Sequence, residues 1–285
     1  VTITSRQNPL VVRFRDAARG DVGGPILLDG AHLVADAVGA RLTIRLAVVT
    51  PASREQDEVR HLLDALSRRQ VEVAAVSAPV MDAISPVRSA SAIVALADRP
   101  AISDGQLYAG EAPLVVVAID VQDPGNVGAI VRVAEAAGAT GVIAAGASAN
   151  PWGWKALRGS MGSALRLPIL HGGGADRAVA DATGRRCRVV AAVPRDGQSV
   201  FDVDLTGRVA VLIGGEGQGL APSLLDAADV RVTIPMQPPV DSLNAAVTAA
   251  LILYEARRQR EGRPLKACAT IDHNHDATGC DNRQP

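Results

Sequence analysis

The chain has 285 residues, a formal net charge of −1, 48% hydrophobic and 21% charged residues. That size fits one large or two ordinary globular units with a sizeable core, and the near-zero charge excludes a global field that draws the protein to nucleic acid, so any basic surface is local. Aromatic residues make up 2% and the cysteines are only Cys187, Cys268 and Cys280, which excludes a recognition surface built on stacked rings and a disulfide framework.

No segment has the length and apolarity of a membrane span. The N-terminus has no apolar signal core. The expected location is therefore a reducing cytoplasm. Lysine occurs only at 155 and 266, so arginine carries almost all the positive charge. Arginine suits bidentate phosphate contacts, but a GC-rich coding bias is the favoured explanation of its abundance and does not exclude RNA contacts.

Residues 1–103 hold short apolar runs, PILLDG, RLAVV, VEVAAV and SAIVAL, separated by helical patterns such as 55–69. They read as a small α/β unit. Arg6, Arg13, Arg15 and Arg19 stand against a single acid, Asp16, in the first twenty residues. This is a candidate local surface for RNA. Residues 98–112 are rich in Asp, Gly and Ala with Pro100, and read as a linker centred on 104–112.

From 113 to 262 the candidate strands are 113–119, 141–145, 188–193, 208–213 and 230–234. They are continuous β-branched runs rather than alternating ones, as expected of strands buried on both faces of a parallel sheet. Helical patterns at 126–137, 175–184 and 220–228 alternate with them, which argues for an open α/β sheet. Ligands in such sheets bind at the carboxyl ends of strands.

Three loops at such positions are unusual. Asp123-Pro124-Gly125-Asn126-Val127-Gly128 opens a helix that Asn126 can cap and Gly138 can end. Gly128 leaves room on one side, and Arg132 follows one turn later. Gly214-Gly215-Glu216-Gly217-Gln218-Gly219 is neither a P-loop nor a dinucleotide fingerprint. Glu216 there repels phosphate and suits a ligand with hydroxyls, an amine or positive charge. In IPMQPPVDSLN, three prolines stiffen an elbow, Asp241 or Ser242 can cap the next helix, and Leu243, Val247, Leu251 and Tyr254 give it an apolar stripe. Residues 263–285 read as a flexible polar tail. Its Cys268, His273, His275 and Cys280 match no common zinc spacing, so no metal site is assigned.

In this order, DPGNVGAIVRVAEAAG, LIGGEGQGL and IPMQPPVDSLNAAV resemble the three motifs of the SpoU/TrmH family of RNA ribose methyltransferases, in the SPOUT superfamily. Arg158-Gly159-Ser160-Met161-Gly162-Ser163 before LPI is similar to a further stretch of that family. The start of the chain resembles, more loosely, the ribosomal-protein-like substrate-binding unit often fused in front. The resemblance implies an α/β sheet with a deep trefoil knot. It also implies S-adenosylmethionine as donor, a homodimer with the site at the subunit interface, and 2′-O-methylation of RNA. The added N-terminal unit favours ribosomal over transfer RNA. Transfer RNA, or an RNA-binding protein that keeps the fold without catalysis, are the alternatives. By motif position, Arg132 and Asn244 are catalytic, and Ser242 and Glu216 organise the site. Gly214, Glu216, Gly217, Ile234, Met236, Leu243 and Asn244 contact the donor. Asn126, Arg132, Arg158 and Ser160 face the RNA, together with Arg6, Arg13 and Arg15. Gln237-Pro238-Pro239 departs from the family, where glycine is common.

Overall fold

The computed structural model describes residues 2–20, 23–87 and 91–262; the Cys/His stretch of 268–280 lies outside them. Two sheets organise the chain. The first has β1 (Thr2–Ile3), β2 (Ile26–Asp29), β3 (Ile44–Val49), β4 (Glu72–Val76) and β5 (Ile93–Ala97), with helices α1 (Pro9–Arg19), α2 (Ala31–Gly39), α3 (Asp57–Arg68) and α4 (Ala78–Ile84). Its order is β1-β4-β3-β5-β2. β1, β4 and β3 run parallel, and β5 is antiparallel to both of its neighbours. Alternate side chains serve opposite faces of a strand. Leu27, Leu46 and Val48 meet Val11 and Phe14 of α1 and Met81 of α4. Leu28, Ala47 and Val49 meet Leu33 and Val34 of α2 and Leu66 of α3.

The second sheet follows a connector that was expected to be a plain linker. Instead it forms α5 (Asp104–Leu107), closed by a capping box between Ser103 and Gln106. Leu107 and Tyr108 are buried in the core. The Tyr108 hydroxyl is buried without a hydrogen-bond partner among the described residues. Burial pushes its pKa up to about 12.

Next come β6 (Leu114–Ile119), α6 (Pro124–Ala137), β7 (Gly141–Ala145), α7 (Trp154–Ser160), β8 (Ile169–His171) and α8 (Ala175–Gly184). They are followed by β9 (Arg188–Ala192), β10 (Gln198–Ser199), β11 (Val209–Gly214), α9 (Pro222–Asp226), β12 (Val230–Thr233) and α10 (Ala245–Arg260). The order is β10-β12-β9-β11-β6-β7-β8, and every pairing is parallel. The five expected strands are present. β8 and β10 are additional: both are short, and neither carries a β-branched run. The continuous runs follow from burial on both faces. Leu114, Val116 and Ala118 pack with Ile130 and Val131 of α6 and Leu253 of α10, whereas Val115, Val117 and Ile119 pack with Val179 of α8 and Leu224 of α9.

α10 turns its small residues inward. Ala245, Ala246, Ala249, Ile252, Leu253 and Ala256 are buried, while Val247, Leu251 and Tyr254 are 46%, 44% and 51% exposed. The apolar stripe read from the sequence therefore faces out, and the alanine face lets α10 lie close on α6.

One apolar cluster runs from the first sheet through Trp152 and Leu157 into the second. Polar ties reinforce it. Asn150 Nδ2 donates to the Gly20 carbonyl at 2.6 Å. Arg166 donates twice to Glu135, at 2.8 and 2.9 Å, and once to Asp36 at 3.2 Å. Burial opposes charge on Glu135, but hydrogen bonds from Arg166 and Ser163 outweigh it and lower its pKa.

Candidate active site

The first motif helix begins earlier than expected. Asp123, not Asn126, is its N-cap: the Asp123 carboxylate accepts from the Asn126 backbone N–H at 2.9 Å, and Pro124 takes the first turn. Proline suits that position because its missing N–H has no intrahelical partner there. Gly138 ends the helix with φ 82°, as expected. The Asn126 side chain, relieved of capping, donates through Nδ2 to Glu216 Oε1 at 2.5 Å.

The glycine loop supplies Glu216 by close approach. A Cβ on Gly215 would sit 2.0 Å from the Asp120 carbonyl oxygen, so only glycine lets β11 exit beside the end of β6. Gly215 and Gly219 then pair as an isolated antiparallel bridge, which folds the loop back and leaves Glu216 at its tip.

The third motif also differs from its expected capping. Asn244, rather than Asp241 or Ser242, is the N-cap of α10. Its Oδ1 accepts from the backbone N–H of Ala246 at 2.9 Å and of Val247 at 3.3 Å. Asp241 is instead ion-paired with Arg195. Because Oδ1 is committed to the helix, the Asn244 amide must point away from it. Nδ2 donates to Asn126 Oδ1 at 3.0 Å and to Glu216 Oε1 at 3.2 Å. Three loops far apart in sequence thus close into one triangle of two amides and a carboxylate.

Beside the triangle lies a cleft of about 560 Å³. All seven residues expected to contact a donor line it: Gly214, Glu216, Gly217, Ile234, Met236, Leu243 and Asn244, together with Ser242. The sequence reading missed Val193 and Pro194, which follow β9, and Thr248 and Ile252 of α10. The rule that ligands sit at strand carboxyl ends was enough to find the first pair. Among the described residues the lining contains no Lys or Arg, and its only charged residue is Glu216.

The expected RNA-facing residues divide. Arg132 is exposed, has no hydrogen bond or ion pair among the described residues, and does not line the cleft. The room beside Gly128 is not free for it: a Cβ there would lie 2.4 Å from the Ala156 carbonyl oxygen, because α7 crosses α6 at that point. Arg158 is tied to Asp29 at 3.5 Å, whose side chain is 1% exposed and also accepts from Ser85. It compensates a buried carboxylate, which is costly to leave unpaired. Ser160 is 1% exposed, and its hydroxyl donates to the Leu157 carbonyl at 2.8 Å. Buried and occupied within its own helix, it has no face for RNA. Arg6 donates to the Pro79 carbonyl, whereas Arg13 and Arg15 stand exposed on α1. The basic end of α10 serves the fold. Arg258 pairs with Glu255 at 2.6 Å, and Arg260 donates to the carbonyls of Ala112, Leu205 and Gly207.

The chain aligns with the crystal structure of the SpoU methyltransferase AviRb from Streptomyces viridochromogenes in complex with AdoMet, with a TM-score of 0.80 and 28% identity over 90% of this chain and 100% of that one. The fold is thus that of an α/β methyltransferase. Residues 113–254 match the SpoU rRNA Methylase family. An uncharacterized tRNA/rRNA methyltransferase of Synechocystis sp. is 31% identical over 91% of this chain and 94% of its own length. The 23S rRNA (guanosine-2′-O-)-methyltransferase RlmB of Bordetella pertussis is 31% identical over 75% of this chain and 89% of its own. This chain belongs to the SpoU rRNA methylase family and is an RNA methyltransferase.

Proposed function

We propose that the protein transfers the methyl group of S-adenosylmethionine to a ribose 2′-hydroxyl of structured RNA, with ribosomal RNA favoured over transfer RNA. The observation that carries this reading is the Asn126–Glu216–Asn244 triangle at the rim of the cleft. The names of the AviRb and RlmB relatives support the donor and the 2′-oxygen.

The cleft fits the donor. Its volume of about 560 Å³ is that of a small-molecule site. Ile213, Leu220, Ile234 and Leu243 give it an apolar wall, and the 214–219 backbone gives it polar edges. A lining without cations among the described residues disfavours a polyphosphate ligand and accepts one that carries positive charge. When bound, the donor supplies a methyl on a sulfonium, already a strong electrophile.

The protein must then place one oxygen and manage its proton. Oriented placement alone accounts for a large share of the rate, about 7–11 kcal/mol in favourable intramolecular cases. Asn244 cannot rotate its amide without uncapping α10, so its N–H groups are pre-aimed. Glu216 Oε1 is occupied by the two amides, and Oε2 accepts from a ligand hydroxyl or ammonium. A guanidinium carries N–H donors and no acceptor, so Arg132 is not the proton acceptor. It acts instead through its fork of N–H donors, gripping an RNA phosphate and orienting the hydroxyl.

Arg132→Ala should lower methyl transfer to ribosomal RNA from cells lacking the gene by at least about 100-fold, the scale expected for a lost oriented donor. Calorimetric binding of S-adenosylmethionine should stay unchanged. Mass spectrometry of the digested nucleosides reads the product. Near-normal turnover would remove Arg132 from the site.

We also infer a homodimer through the C-terminal unit, with the site at the subunit interface, and the trefoil knot that the resemblance implies. The outward stripe of Val247, Leu251 and Tyr254 supports the dimer, because it starts one turn from Asn244. Leu251→Asp should give a monomer by light scattering and lose methyl transfer; a dimer that persists would place the interface elsewhere. Among the described residues no helix is long and apolar enough to cross a membrane, and the cytoplasm remains the proposed location.

A further inference from the structure

The lining of the cleft comes from separate segments. Val193 and Pro194 follow β9, while Met236, Ser242 and Leu243 belong to the stretch between β12 and α10. The residue directly after Pro194 is Arg195, and the residue directly before Ser242 is Asp241. Their side chains form an ion pair, Arg195 Nη2 to Asp241 Oδ1. The pair therefore joins two of the lining segments, next to the residues that line the cleft.

Both ends of this tie are anchored. On the Arg195 side, the Gly197 N–H donates to Thr233 Oγ1 at 2.9 Å, and a Cβ on Gly197 would lie 2.6 Å from that same oxygen. The segment is thus pressed on the end of β12. On the Asp241 side, the Val240 N–H closes a turn onto the Gln237 carbonyl at 3.1 Å, around the two prolines that replace the glycine common in the family. Restricted φ at proline reduces the entropy lost in holding that turn. Asp241 has no competing duty, since Asn244 caps the helix.

We propose that Arg195 and Asp241 are positioning residues for methyl transfer: their ion pair clasps the loop that carries Ser242, Leu243 and Asn244 to the segment that follows β9 and sets how long the donor stays in the cleft. This rests on the reading of the cleft as the donor site. The side chains are 67% and 76% exposed. An exposed pair is worth little in global stability and is weakened by salt. The clasp therefore acts on donor exchange rather than on folding.

The test is the dissociation rate of S-adenosylmethionine from the full-length protein, measured by stopped-flow at low and high sodium chloride. Arg195→Ala and Asp241→Ala should each release the donor about two- to five-fold faster at low salt, the range that a pair of this exposure supports. Their difference from the wild type should vanish at high salt. With RNA, the donor KM should rise while kcat at saturating donor changes little. The charge-swapped double variant, Arg195→Asp with Asp241→Arg, should return the rate to within about two-fold of the wild type, because the attraction is restored. Single variants with wild-type release rates and salt dependence would overturn the clasp. So would a charge swap that releases as fast as the singles. Failure of the wild type to bind the donor at all would overturn the donor-site reading as well, so the two failures are separable.

Discussion

Asn244→Ser should keep the fold and lose methyl transfer. Serine is as good an N-cap as asparagine, so α10 retains an acceptor for the Ala246 and Val247 N–H groups. It has no amide to offer Glu216 and Asn126. Asn244→Ala removes both roles and should additionally cost about 1 kcal/mol of stability, the usual value of a lost cap. The pair of variants separates capping from chemistry. The expected loss of turnover is about 100- to 1,000-fold in each, the scale for removing one preorganised donor. Urea unfolding reads the first quantity, and nucleoside mass spectrometry the second. An Asn244→Ser enzyme that turns over within a few-fold of the wild type would reduce Asn244 to a helix cap.

Gly128→Ala should destabilise the C-terminal unit although it places a better helix former inside a helix. Two opposing effects decide its sign. Alanine is the better helix former by about 1 kcal/mol. Against this, the added Cβ would lie 2.4 Å from the Ala156 carbonyl oxygen and 3.0 Å from the Gly159 Cα. These obstacles are backbone, which yields only if α7 moves as a body. α7 is held by Arg158 on buried Asp29 and by Trp152 and Leu157 in the shared core, so the steric term wins. Overpacking of this kind costs about 1–3 kcal/mol, or roughly 2–4 °C in melting temperature per kcal/mol for a chain near this size. Gly184→Ala is the control: it ends α8 with nothing within 4 Å of its would-be Cβ, and should be neutral or slightly stabilising. Equal melting temperatures for the two variants would show that the α6–α7 crossing has slack. Arg132 lies one turn beyond Gly128, so the shift should also reduce turnover.

Much of this architecture was legible in the chain. Runs such as LVVVAI and VAVLI present apolar side chains to both faces, so they read as strands covered on both sides, and they are. The order of the three loops was specific because each combines residue types that generic turns do not need: an asparagine and glycine opening a helix, a glutamate inside a glycine run, and Ser-Leu-Asn after an elbow. The strands β8 and β10 were not legible, since two or three residues carry too little pattern to stand out.

The capping assignments show where local reading stops. Asp123 and Asn126, or Asp241, Ser242 and Asn244, are all competent caps by type. Each choice is settled by what the remaining side chains find through space. Asn126 and Asn244 are 118 residues apart, and Arg195 and Asp241 are 46 apart. No local propensity encodes those meetings. The same holds for Arg158 and Ser160, whose motif positions were read as RNA-facing and whose side chains instead hold the fold together.

The sequence alone determined the long buried strands of the second sheet, the three unusual loops at their carboxyl ends, and the family they belong to. Those features rest on local energies, namely side-chain burial, backbone restriction at proline and glycine, and the chemistry of single residue types. Only the tertiary structure decided which asparagine caps a helix while facing a glutamate, which arginines are tied down and which stand exposed, and that the apolar stripe of α10 faces outward. These depend on packing distances set by the whole sheet, where a shift of one ångström changes a hydrogen-bond partner and sequence separation carries no information.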